Sequence, residues 1–124
     1  MDTIRIAATE DTPNVVLDRD NKVFEISGRS LPEDVVLFYK PIIEWFDGLN
    51  DNPIDNMELS VKLEYFNTAS SKLLLDIFLK LEEIKDSGSE IKIVWNYPES
   101  DTDMREAGEE YSEIVEIPFD LVPY

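Results

Sequence analysis

Apolar and polar residues alternate over nine positions from Met57 to Tyr65, which predicts a strand with one face buried. The period then changes. From about 69 to 86, Leu73, Leu74, Ile77, Phe78, Leu81 and Ile84 fall within a ~140° arc at helical spacing, so an amphipathic helix follows and ends before Ser87-Gly88-Ser89. Ile91 to Trp95 predicts the next strand, and the short connections make a right-handed β–α–β crossover. Upstream, Val15-Val16-Leu17 and Val23-Phe24-Glu25-Ile26 flank Asp18-Arg19-Asp20-Asn21, the composition of a tight hairpin turn. Gly28 is expected to end that hairpin. Residues 1–13 offer only the Ile4/Ile6 alternation, a short strand or a loose arm.

A helix over about 32–48 is predicted to start at Ser30 as cap, with Pro32 in its first turn. Val35, Val36, Phe38, Tyr39, Ile42, Ile43, Trp45, Phe46 and Leu49 occupy half of its circumference, and Pro41 is expected to kink it. Glu99 to Ser112 predicts a third, very acidic helix or a partly ordered segment, and Ile114 to Phe119 a terminal strand with Pro118 at an edge or strand end. The sum is an α/β fold: one domain over 1–124, with a mixed sheet of about five strands covered by three helices.

Composition narrows the chemistry. Lys and Arg number 11 against 28 Asp and Glu, a formal charge of −17, which argues against nucleic acid and anionic membrane as partners. Hydrophobic residues make up 43%, enough for an ordinary core. The chain has no cysteine and no histidine, which removes disulfides, thiol nucleophiles, Ser-His-Asp triads and nearly every zinc site; no cofactor is expected. No apolar run approaches the ~20 residues of a membrane span, and Met1 to Arg5 lacks signal-peptide character, so a cytoplasmic protein is expected.

The junction of the clearest strand and the second helix reads Tyr65-Phe66-Asn67-Thr68-Ala69-Ser70-Ser71-Lys72. Asn67 and Thr68 suit a helix cap, which is a purely structural use. A hydroxyl here is also exposed beside free backbone N–H groups, where a phosphate is favoured, and Lys72 follows one turn later. This junction, followed by Leu73-Leu74-Leu75-Asp76-Ile77-Phe78, resembles the SiaC family of bacterial regulatory phosphoproteins. Pro13, Gly28, Pro32-Glu33, Phe38-Tyr39, Pro41, Trp45, Gly88, Trp95-Asn96-Tyr97 and Gly108-Glu109-Glu110-Tyr111 extend the resemblance along nearly the whole chain.

The resemblance implies a fold similar to the STAS domain of anti-sigma-factor antagonists and a non-catalytic, phosphorylation-controlled switch. A cognate kinase would phosphorylate Thr68 and a PP2C-type phosphatase would reverse it. The unphosphorylated form would bind an effector, in the best-known case a diguanylate cyclase. Antagonists of sigma-factor pathways usually carry Asp-Ser where this chain has Asn67-Thr68, so that pathway is the weaker implication. Ala69 stands where many relatives have a hydroxyl, which leaves Ser70 and Ser71 as secondary acceptors.

Helical geometry adds one feature independently. Leu75 and Leu79 lie opposite the core arc, with Thr68 between them in angle and Lys72 ~20° beyond Leu79. Either the preceding helix covers them, or they form an apolar strip under the hydroxyl where a partner docks. The acids from Glu99 to Glu116 read as a solvated face or as an attractor for a basic partner surface. Asp101 and Asp103 lack the spacing of a calcium loop. Pairs such as Glu58/Glu64 keep open a small carboxylate enzyme or ligand carrier.

Overall fold

A computed structural model describes residues 2–124. Six strands form one sheet in chain order: β1 (Ile4–Ile6), β2 (Asn14–Asp18), β3 (Val23–Ser30), β4 (Asn56–Phe66), β5 (Glu90–Tyr97) and β6 (Phe119–Pro123). The first three pair antiparallel, and β3 through β6 pair parallel. Each parallel connection carries one helix: α1 (Val35–Asp47), α2 (Thr68–Asp86) and α3 (Thr102–Ile114), with a short 3-10 turn at Gly48–Asn50.

Register places Leu17 beside Phe24, Ile26 beside Val61, and Val61 beside Trp95, so these side chains share one face. Trp45 of α1 packs on Phe24 at 5.9 Å between ring centroids, and Phe78 of α2 and Tyr111 of α3 pack on Trp95 at 6.5 and 5.4 Å. All three helices therefore cover the same face. The opposite face is polar: Lys92 pairs with Asp120 at 3.0 Å, Lys62 lies over the Tyr124 ring, and Asn96 Nδ2 donates to Ser60 Oγ.

The alternation from Met57 becomes β4, and Leu74, Ile77, Phe78, Leu81 and Ile84 are buried as the helical arc requires. The sheet has six strands, close to the five expected, and of the two readings of residues 1–13 the short strand holds, because Ile4–Ile6 pairs with β2. Several expectations at element ends are corrected. Gly28 does not end β3. It sits at φ +102°, a backbone region open to glycine, and the strand continues past a register shift between Gly28 and Arg29 to Ser30.

Ser30 is not a helix cap but the buried last residue of β3, opposite Phe66. Asp34 caps α1 instead, its Oδ1 accepting from Leu37 N at 3.0 Å, so the helix starts at Val35 and runs through Pro41 without interruption. Val36, placed on the apolar arc by its spacing, is exposed.

Residues 114–118 are not a strand. Ile114 ends α3, and Val115 and Ile117 are buried in the connection that follows. The strand is Phe119–Pro123 on the sheet edge, its pairing begun by Ile93 N donating to the Pro118 carbonyl at 3.0 Å. Apolar alternation reports burial on one side, which a connection can satisfy as well as a ladder.

Candidate functional site

The parallel register brings the carboxyl ends of β3 and β4 together, and the chain leaves β4 at Asn67 to open α2. Asn67 N donates to the Ser30 carbonyl at 3.0 Å, fixing the turn to the end of β3. The Asn67 side chain caps α2, Oδ1 accepting from Ser70 N at 2.8 Å, and its carbonyl accepts from Ser71 N. The cap is thus Asn67, and Thr68 is the first helical residue, exposed to solvent. Helix geometry leaves the amides of Thr68 and Ala69 without intrahelical acceptors, so this end of α2 is an electropositive pole with no acid in its first turn.

Two tyrosines hold that first turn from opposite sides. Ser30 Oγ donates to Ser70 Oγ, which donates to the Ser30 carbonyl, both at 2.9 Å. With the Ser30 proton committed, the Tyr39 hydroxyl donates to Ser30 Oγ at 2.6 Å, giving a buried chain Tyr39→Ser30→Ser70. On the other side, the Tyr111 hydroxyl donates to the Ser71 carbonyl at 2.8 Å, and Ser71 Oγ donates to the Thr68 carbonyl. Burial pushes both tyrosines above their ordinary range, more than their hydrogen bonds to Ser30 and Ser71 lower them, so both stay neutral donors.

Between α2 and α3 runs a groove of about 340 Å³. Thr68, Ser71, Lys72 and Leu75 line it from α2, with Phe66 and Asn67 at the end of β4. Ala107, Glu110, Tyr111 and Ile114 line it from α3. The hydroxyl and the amine one turn below it thus face a common trough. Lys72 is exposed and makes no ion pair among the described residues. Leu75 is half-buried on the groove wall, and Leu79, 37% exposed, lies one turn further along α2 outside the lining.

The structure separates the other candidates. Ser70 is fully buried with its hydroxyl engaged on both sides, so neither a kinase nor a partner can reach it; this corrects its expected place as a secondary acceptor and a contact residue. Its position one and two turns before Leu74 and Ile77, on the core arc, was the sequence signal that could have shown this. Ala69 is exposed and Ser71 half-exposed.

Asp101 is spent as the cap of α3, Oδ1 accepting from Met104 N at 3.0 Å. Glu58 and Glu64 both stand on the open face of β4, six residues and so roughly 20 Å apart, too far for a carboxylate pair. A larger hollow of about 500 Å³ at the amino ends of β4 and β5 mixes Glu58 and Glu90 with Lys85 and Lys92 and contains none of the junction residues. Sequence reasoning did not find the α3 wall of the groove or the anchoring roles of Tyr39 and Tyr111. For Tyr111, the spacing from Met104 and Gly108 (i, i+4, i+7) marks an inward face with a polar tip.

Comparison with known proteins agrees with this architecture. An uncharacterised protein of Pseudomonas aeruginosa (strain UCBPP-PA14) is 29% identical over 119 residues, 96% of this chain and 94% of the relative. The crystal structure of apo-SiaC from Pseudomonas aeruginosa superposes with a TM-score of 0.90 at 28% identity, covering 98% of this chain and 99% of that one. A chain in the crystal structure of diguanylate cyclase SiaD in complex with its activator SiaC, from the same organism, matches with a TM-score of 0.91 at 27% identity, covering 98% and 99%. The family model described as SiaC family regulatory phosphoprotein matches residues 6–124, so nearly the whole chain, and not the Asn-Thr junction alone, makes this protein a member of the SiaC family.

Proposed function

We propose that this protein is a non-catalytic switch in which a cognate kinase phosphorylates Thr68, a PP2C-type phosphatase restores the hydroxyl, and the unphosphorylated form binds and activates a diguanylate cyclase. The observation that carries the reading is the position of Thr68. It is the first residue of α2, exposed, beside two unpaired amides and at the mouth of a trough that also holds Lys72 and Leu75. Membership of a regulatory family and likeness to a SiaC known as the activator of SiaD support the partner class. A carboxylate enzyme loses support, because Glu58 and Glu64 are too far apart. Among the described residues no helix is long and apolar enough to cross a membrane, and in this reading the protein works in the cytoplasm.

A phosphate on Thr68 adds roughly −1.5 to −2 charges at the groove mouth. Nearby amides and Lys72 stabilise it locally, but a partner's apolar surface seated on Leu75 and Leu79 would have to desolvate it. Binding is therefore lost on phosphorylation. The test is calorimetric titration of the cyclase with the free and the fully phosphorylated protein at fixed salt, after phosphopeptide mapping of the kinase product. Equal affinities, or phosphate mapping mainly to another residue, would overturn the reading. Thr68→Asp carries less charge and fewer acceptor oxygens, so it reproduces the loss only in part.

A further inference from the structure

Thr68 stands between two anchored residues, and both anchors end on Ser30. Asn67 N and Ser70 Oγ each donate to the Ser30 carbonyl, at 3.0 and 2.9 Å, and Ser30 Oγ donates back to Ser70 Oγ. The Tyr39 hydroxyl closes the chain on Ser30 Oγ at 2.6 Å. Ser30, Tyr39 and Ser70 are all fully buried. The hydroxyls of Ser70 and Ser71 are spent on hydrogen bonds, whereas among the described residues Thr68 Oγ1 makes none. The helix does not need this chain as a cap, because Asn67 Oδ1 already serves. Apolar side chains of the same shape could fill the space at little cost, so what the buried hydroxyls add is one fixed geometry.

We propose that Ser30 and Tyr39 are positioning residues for the phosphorylation of Thr68. They do not meet the kinase; they clamp the turn on both sides of Thr68 to the end of β3 and hold its hydroxyl in one place. The proposal rests on the reading of Thr68 as the acceptor and names what makes it an efficient one. In the transfer, Thr68 Oγ1 bonds to the γ-phosphorus of a nucleoside triphosphate as the bond to the β-phosphate oxygen breaks. The nucleoside diphosphate leaves, and the hydroxyl proton passes to a base of the kinase. Attack is in line, and a misplacement of ~1 Å can cost ~100-fold in rate. An unstructured acceptor must be ordered by the enzyme, at a cost in binding. Here the substrate carries that order itself, tied to the end of a strand within a six-stranded sheet.

The test is steady-state phosphorylation of the full-length protein, with ATP as donor and the kinase that labels the parent. Ser30→Ala should lower kcat about tenfold and Tyr39→Phe about threefold, with KM within about twofold of the parent, because docking is intact and only transition-state geometry is lost. Hydrogen exchange at the amides of Asn67 and Ser70 should quicken about tenfold in Ser30→Ala, reporting the loosened turn. Ile91→Val is the control. It trims a buried side chain at the amino end of β5, away from Thr68, and should leave both constants unchanged while lowering the urea midpoint.

A kcat that is unchanged or raised in Ser30→Ala would overturn the proposal, since the kinase would then order or extract the turn for itself. So would an equal loss in Ile91→Val, which would make the effect one of stability, or a loss confined to KM. If Ser30→Ala does not fold, Tyr39→Phe keeps its ring in the core and carries the test alone. Phosphopeptide mapping of the parent separates the two readings. Phosphate on Thr68 with no kcat effect sinks only the positioning role, and phosphate on another residue sinks both.

Discussion

Helix α2 has two flanks, and they are built differently. On the α1 side its first turn is tied by the buried chain from Tyr39 through Ser30 to Ser70, and lower down Lys80 pairs with Asp47 at 2.6 Å. Between those ties Tyr39, Ile42 and Phe46 of α1 are fully buried, while Val36 and Leu37 in its first turn are exposed. On the α3 side the Tyr111 hydroxyl bonds the Ser71 carbonyl and, below, Glu116 N donates to Glu82 Oε1 at 2.6 Å; between them lies an open groove with Leu75, Ile114 and Lys72 on its walls. One flank sets where Thr68 stands. The other leaves the surface beside it free to be covered. A phosphorylation switch needs both, because a mobile acceptor would not place its charge reproducibly and a closed seam would give that charge nothing to disrupt.

The most severe way to break this comparison is to unseat α3. Gly108 lies against Trp95, and a Cβ there would come within 2.5 Å of Trp95 Cδ1 and 2.7 Å of Leu121 Cδ2. Trp95 Nε1 also donates to the Met104 carbonyl at 3.0 Å, so ring and helix cannot both keep their places. Gly108→Ala should cost about 1–3 kcal/mol or more in urea unfolding and weaken effector binding by displacing the groove wall. Unchanged stability would show that α3 yields easily and that the groove is not rigid.

The closed flank is probed by Ser70→Ala against Thr68→Ala. Removing the Ser70 hydroxyl leaves the buried Ser30 proton without its acceptor, a loss of about 1–3 kcal/mol. Thr68→Ala removes an exposed hydroxyl while Asn67 keeps the cap, and should stay within about 0.5 kcal/mol. Equal losses would mean that Thr68 carries as much structural duty as Ser70.

Tyr111→Phe removes the tie between α3 and the first turn of α2, at about 1 kcal/mol. It also tests a pH effect. Burial raises the Tyr111 hydroxyl above its ordinary value of 10.0, so the folded state retains a proton that the unfolded chain releases. That stabilisation is fully present below about pH 10 and is lost as pH rises beyond it. Melting temperatures from pH 8 to 11 should fall less steeply for Tyr111→Phe than for the parent. Parallel curves would remove the tyrosine from the account.

Leu79→Asp has a stability effect as small as that of Thr68→Ala. At 37% exposure it should change stability by only about 0.5 kcal/mol while weakening effector binding markedly. A variant that unfolds would return Leu79 to the core.

How much of this could be read in the chain varies with the range of the interaction. The β4–α2–β5 unit was legible because a period of two gives way to a period of 3.6 within a few residues, and both periods are local properties of the backbone. The Asn67-Thr68 junction was legible for the same reason, since capping chemistry acts over three residues. Ser30 was misread because its local preference is for a cap, whereas its hydroxyl is claimed by Ser70, 40 residues on, across paired strands. Val115 and Ile117 look like a strand, but the ladder to β5 is taken by Phe119–Pro123.

By itself, then, the sequence determined the periodic elements, the exposed threonine opening a helix, and the acidic character of α3. Only the tertiary structure decided that α3 stands beside Thr68 rather than elsewhere on the sheet, that Ser70 is withdrawn, and that a groove remains between two helices. Those outcomes depend on Gly108 admitting α3 against Trp95, and the fit of one glycine to one ring is a contact between residues whose proximity no local pattern encodes.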